Sequence, residues 1–266
     1  MFKTRLLSGI VLVILAFLLI FAGGNVLLVS LGAISLIGMY ELYRVLGIEK
    51  SAAGIFGYAA SILFYVSLCL PFLKEPMLFV IESLVALMFL YVFTYPRYKT
   101  EQIFAAFFGI FYVSVMLSYI YQTRMLKYGI YMVWLIFLCS WGCDTCAYCV
   151  GVLIGKHKMS PKLSPKKSIE GAIGGVAGSI LLTLLYAWVF REPMQLGTKE
   201  MLSLSGIGGI GACISMVGDL AASAIKRNYD IKDYGTLIPG HGGILDRFDS
   251  VIFTAPVIYY LAKFTL

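Results

Sequence analysis

Leu202–Ile225 reads L-S-L-S-G-I-G-G-I-G-A-C-I-S-M-V-G-D-L-A-A-S-A-I, and Val251–Phe264 reads V-I-F-T-A-P-V-I-Y-Y-L-A-K-F. Bridging these two apolar runs is Ser223–Asp249, S-A-I-K-R-N-Y-D-I-K-D-Y-G-T-L-I-P-G-H-G-G-I-L-D-R-F-D. It carries nine acidic, basic or histidine side chains within 27 residues. A strongly charged loop hung between hydrophobic spans is where a membrane protein meets a soluble, charged substrate.

The rest of the chain agrees. Of its 266 residues 60% are hydrophobic and only 13% charged, and the mean hydropathy is +0.89. Those values exclude an ordinary soluble domain. Crossing a bilayer takes about 20 apolar residues. Nine runs approach that length: Leu6–Ala22, Val26–Leu46, Gly54–Leu73, Met77–Tyr95, Ile103–Tyr121, Gly129–Ile154, Ala172–Phe190, Leu202–Ile225 and Val251–Phe264. The expected fold is an all-α polytopic membrane protein of about nine transmembrane helices. Lys3 and Arg5 suit a signal peptide, but no convincing small-residue cleavage pattern follows, so the first run reads as a span.

Charge sets the orientation. Alternate loops counted from the N-terminus hold 15 of the 21 lysines and arginines. The positive-inside rule then places the N-terminus and the 156–171 and 226–249 loops in the cytoplasm. Topology explains the net charge of +7, which leaves little support for a nucleic-acid role. No linker or repeat divides the chain. Up to residue 137 charges sit in short loops or near span ends, and beyond it carboxylates enter the spans. Residues 1–137 therefore read as transmembrane scaffold and 138–266 as the working part of one integrated membrane domain.

Several motifs lead elsewhere and are set aside. Gly206–Gly211 fits G-x-G-x-x-G but lies in an apolar run with no preceding strand, which suits close helix packing rather than a dinucleotide. Gly155-Lys156 precedes His157, not Ser or Thr, so it makes no phosphate-binding P-loop. Cys143, Cys146 and Cys149 form C-x-x-C-x-x-C, but on a buried helix with no local fourth ligand they read as small packing residues.

Asp144 and Asp219 lie inside expected spans, where an ionised carboxylate is costly without water, a partner or a cation. Asp219 shares a helical face with Ser223 and Lys226, and Asp144 shares one with Tyr148, Gly151 and Gly155. Glu41 and Glu82 sit nearer span ends and read as interfacial. If Leu245 opens the last helix, Asp246 and Asp249 share a face at i, i+3 and repel unless a cation lies between them. With Asp219 they make an all-oxygen donor set that suits Mg²⁺. The turn Pro239-Gly240-His241-Gly242-Gly243 offers backbone amides at a helix start, a place for phosphate oxygens. Lys226, Arg227, Lys232 and Arg247 add positive charge. Together these features point to metal-assisted phosphoryl or nucleotidyl transfer.

The same residues carry a family resemblance. Ser223, Ile225-Lys226-Arg227, Lys232-Asp233, Gly235, Ile238-Pro239, His241-Gly242-Gly243-Ile244 and Asp246-Arg247-Phe248-Asp249 resemble the signature of phosphatidate cytidylyltransferases (CDP-diacylglycerol synthases) without departure. A second stretch, Asp144 through Tyr148, Gly151, Gly155-Lys156 and Ser164–Gly171, is also similar to that family. The resemblance implies CTP plus phosphatidic acid giving CDP-diacylglycerol and pyrophosphate, with one or two Mg²⁺ ions. It implies metal binding by Asp219, Asp246 and Asp249, and transition-state or pyrophosphate contacts from Lys226, Arg227 and Arg247. Lys167, Ser168 and Glu170 would form a second wall around lipid phosphate or nucleotide. Asp144 is either a further metal ligand or a brace for a basic side chain, and His241 either touches phosphate or only shapes its turn.

The catalytic cavity is expected at the cytoplasmic face of a bacterial inner membrane, where CTP and membrane lipids meet. Helix-packing glycines permit a homodimer. A CTP-dependent lipid kinase is the nearest alternative and would release CDP. A transporter would show repeat symmetry that the chain lacks, and the CDP-alcohol phosphotransferase pattern is absent.

Overall fold

The computed structural model describes residues 2–70 and 76–265, with side chains from residue 7 onward. The end of the expected Gly54–Leu73 span, Lys74 and the side chains of Lys3 and Arg5 lie outside the described residues. The helices are α1 (Phe2–Ala22), α2 (Gly24–Val45), α3 (Ala52–Cys69), α4 (Pro76–Phe93), α5 (Thr100–Arg124), α6 (Gly129–Ile154), α7 (Ile169–Val189), α8 (Thr198–Asn228) and α9 (Leu245–Thr265). Two of them widen locally into π-helix, α5 at Ile110–Val115 and α6 at Leu138–Gly142. Among the described residues seven helices, α2 to α8, are long and apolar enough to cross a membrane, and Leu7–Ala22 of α1 is a shorter apolar helix. In hydrocarbon a helix satisfies its own backbone groups, which is why such runs fold this way.

Two compact units emerge, each assembled from two stretches of chain. The first comprises Met1–Tyr121 and Asp233–Asp246, the second Gln122–Lys232 and Arg247–Leu266.

The first unit packs around Tyr43 of α2, which is fully buried. Its hydroxyl donates to Ala106 O of α5 (2.5 Å). A Cβ at Gly57 or Gly109 would run into the Tyr43 ring, so both positions are kept bare. Lipid tails drive no hydrophobic association between helices, so small residues and buried polar pairs take over. Ser35 pairs with the Tyr65 hydroxyl (2.7 Å) and Ser61 with Ser114 (2.6 Å), tying α2, α3 and α5 together.

The second unit is held by glycine faces. A Cβ at Gly174 would stand 2.5 Å from Val150, and one at Gly178 would stand 2.5 Å from Cys146 Sγ. Gly208 and Gly211, from the motif that resembled a nucleotide fingerprint, press against Thr183 and Cys139. The charged 156–171 segment is not wholly irregular. It forms an antiparallel hairpin, β1 (Lys158–Ser160) and β2 (Ser164–Ser168), pairing Lys158 with Ser168 and Ser160 with Ser164. Ser168 then caps α7, its Oγ accepting from Gly171 N (3.1 Å), the usual service of an N-cap hydroxyl.

Candidate active site

In the second unit α6, the hairpin, α7 and α8 enclose a cavity of about 590 Å³. Asp144, Tyr148 and Gly151, one stripe of α6, line it as their spacing requires. Asp219 enters from α8, and Lys158, Lys166, Lys167 and Ser168 from the hairpin. Tyr148, Val152, Met159 and Met216 make the apolar part of the wall. Charged and greasy surfaces share one chamber.

Lys167 Nζ forms an ion pair with Asp219 Oδ2. Nothing in the one-dimensional pattern paired them, because they lie 52 residues apart. Asp219 is also within electrostatic reach of both Asp144 and Asp249, and Asp144 of Lys167 and Arg247. Asp249 is 9% exposed and interacts with Lys226, itself 8% exposed. One of its oxygens accepts from Ser250 N (2.8 Å). Arg247 Nε is buried and makes no hydrogen bond among the described residues, although its carbonyl accepts from Trp141 Nε1 (3.4 Å). A buried guanidinium donor left so calls for an acceptor from outside.

Other expected site residues serve the backbone. Glu170 accepts from Lys156 N (3.1 Å), His157 N (3.2 Å) and His157 Nδ1 (2.5 Å), pinning the turn that leaves α6. Arg227 Nη1 donates to Ile231 O (2.9 Å) beyond the end of α8. Ser223 is half-buried on α8, and Lys232 is exposed.

The signature turn belongs to the first unit. Gly240 and Gly242 adopt left-handed backbone (φ 76° and 87°), which favours glycine. Ile238 N donates to Gly242 O (2.8 Å), and Ser8 Oγ hydrogen-bonds His241 Nδ1 (2.7 Å) and donates to Pro239 O (3.1 Å). α9 does begin at Leu245. Some amides in and beside this turn are engaged within the unit, His241 N donating to Ile238 O (2.9 Å). Gly243 N donates to Asp246 Oδ2 (2.9 Å), which also accepts from Tyr234 N (2.8 Å). Ile244 N and Leu245 N donate to Glu41 (3.0 and 2.8 Å). Glu41 is thus a buried cap rather than an interfacial residue.

Asp144, Asp219 and Asp249 offer only oxygen donors, the kind a hard divalent cation takes. Among the described residues no three His, Cys, Asp or Glu side chains form a cluster able to hold an ion by themselves.

Membrane-length helices around a chamber with acidic, basic and apolar walls define an integral membrane protein built to handle a charged group beside lipid. The sequence matches the cytidylyltransferase family over residues 3–265, and the chain belongs to that family. Similar curated proteins include the phosphatidate cytidylyltransferase of Bacillus subtilis (strain 168), 29% identical, covering 97% of each chain. That of Staphylococcus aureus (strain COL) is 33% identical over 97% of this chain and 98% of its own. That of Synechocystis sp. is 30% identical over 98% and 97%.

Proposed function

We propose that the protein is a phosphatidate cytidylyltransferase, making CDP-diacylglycerol and pyrophosphate from CTP and phosphatidic acid. The observation that carries this reading, beside family membership, is the chamber that joins Lys167, Asp219 and Asp144 to an apolar wall. A phosphate monoester lipid presents that same pair of surfaces. Its phosphate is already anionic near neutrality, so an oxygen attacks the α-phosphorus of CTP without a strong protein base. The bond to the β-phosphate breaks as the new P–O bond forms, and pyrophosphate carries away the electron pair.

The chain's residues bind and aim the reactants, which is how phosphoryl transfer is chiefly catalysed. Lys167 and Ser168 hold one phosphate at the hairpin. Lys226 and the unsatisfied Nε of Arg247 receive charge developing on the transferring and departing groups. Asp144, Asp219 and Asp249 would hold Mg²⁺, one ion or two, whose chemistry when bound is to neutralise and align the triphosphate. Asp246, whose Oδ2 accepts from Tyr234 N and Gly243 N, orders the signature loop. Glu170, Arg227 and Lys232 shape or flank the substrate path, while His241 orders its own turn through Ser8, and Gly242 and Gly243 permit that turn.

We further take the chain to cross a bacterial inner membrane nine times with its N-terminus and active site cytoplasmic, residues 1–137 acting as scaffold and 138–266 as the catalytic part. Assembly as a homodimer belongs to the same reading.

The test uses purified protein, labelled CTP and Mg²⁺. Phosphatidate-dependent label in the lipid phase, with pyrophosphate released one for one, is the expected result. Release of CDP with a phosphorylated lipid alcohol would instead identify a kinase, and no lipid-soluble product under varied lipids and metals would overturn the reading.

A further inference from the structure

The amides that open α9 are a natural landing place for a phosphate oxygen, and the chain has filled them from its own scaffold. Glu41, 4% exposed on α2, accepts from Ile244 N and Leu245 N. One turn further along α2, Arg44 Nη2 donates to Tyr234 O (2.7 Å), and the N–H of Tyr234 goes to Asp246 Oδ2. Two neighbouring side chains of α2 therefore grip the loop at both ends, some 200 residues later in the chain. Gly235 and Gly243 complete the fit, since a Cβ at either would overlap the Glu41 carboxylate.

An acid is an expensive way to cap a helix inside an apolar protein. An isolated cap could be Ser or Asp on the chain just before Leu245. Reaching from α2 instead fixes the helix start relative to a second element, which a local cap does not do. We propose that Glu41, with Arg44, is a positioning residue of the transferase: it sets the register of the loop and of the first turn of α9, which carries Asp246, before substrate arrives. It touches no substrate. The reading rests on the proposed cytidylyltransferase activity for its kinetic part only.

Full-length Glu41→Gln is the central variant. A carboxamide offers one acceptor oxygen and turns an N–H toward the second amide, so one buried donor loses its partner. The expected result is a kcat about 10- to 100-fold lower, with KM for CTP within about threefold of wild type if positioning alone is lost. Backbone amide exchange, read by mass spectrometry, should quicken in peptides spanning 233–246 and stay unchanged in α7. Gly243→Ala should impair the wild type but add nothing in a Glu41→Ala background, where the obstructing carboxylate is gone.

Wild-type kcat in Glu41→Gln would overturn the proposal. So would a lower KM for CTP, which would make Glu41 a plug that substrate displaces. Should the wild type transfer no CMP to lipid, the proposed function fails while this inference stays decidable. The exchange rates and the Gly243–Glu41 coupling, read by thermal unfolding, need no catalysis.

Discussion

Asp249→Asn separates a catalytic carboxylate from a structural one. The side chain is 9% exposed and lies within electrostatic reach of Asp219 and Lys226. Asparagine has the same shape and can still accept from Ser250 N through its own Oδ1. The substitution thus removes charge and little else. Effective penalties for burying one ion run to several kcal/mol before partners repay them. With Lys226 nearby, a net gain of about 1 kcal/mol is the reasonable scale, worth about 2–4 °C in Tm for a chain of this length. Activity should move the other way. Losing one carboxylate of the set that would hold Mg²⁺ should lower kcat about 100- to 1,000-fold. The assay is phosphatidate-dependent transfer of labelled CTP at saturating Mg²⁺, run beside a thermal melt of the same detergent-solubilised preparation. Opposite signs in the two measurements are expected. Activity within about fivefold of wild type, or a melt lowered by more than about 5 °C, would refute the reasoning, because the carboxylate would then be idle or a structural partner.

Lys167→Met should act in the same direction on both measurements. It strands Asp219, and since the two side chains are 26% and 23% exposed the stability loss should be only about 1 kcal/mol, while transfer falls at least about tenfold for want of a phosphate ligand. Gly178→Val should destabilise by about 1–3 kcal/mol through overpacking against Cys146, and Cys146→Ala should recover much of that loss in the double variant, as read by thermal melting. Cys146→Ala alone should retain full transfer activity, since the cysteine packs against a helix and lines no part of the cavity. Chelation with EDTA should abolish transfer, and added Mg²⁺ should restore it. Activity surviving chelation would remove the metal from the reading.

The parts legible in sequence were those that a single segment encodes. Runs of apolar residues announced the helices, because a bilayer leaves the backbone few other ways to satisfy itself. The stripe Asp144–Tyr148–Gly151–Gly155 was visible because helical spacing alone puts those residues on one face, and its first three members line one cavity while Gly155 does not. Glycines at helical spacing announced contacts whose partners, Val150 and Cys146 among them, only the structure names. The hairpin at 158–168 went unread. Ser164–Ser168, S-P-K-K-S, is short, polar and carries a proline, so strand propensity said nothing of it. The Lys167–Asp219 pair was equally hidden. A polar stripe on α8 pointed from Asp219 toward Lys226, while the partner that closes on it comes from the hairpin.

Glu41 was the harder case, and the reason is general. Its partners are the amides of Ile244 and Leu245, and amides have no side-chain identity for a sequence to display. What the sequence did show was the consequence: a turn full of glycines before an acidic helix start. That pattern suits a nest for phosphate and a nest for a carboxylate equally well, because both offer anionic oxygens to the same donors. The difference lies in whether a buried acid elsewhere lacks a partner. Glu41 sits in an apolar span with Arg44 three residues on, and Arg44 is turned to Tyr234 O. An acid so placed must find donors or be neutralised. An unclaimed carboxylate in an apolar span and an over-supplied amide turn are two halves of one observation.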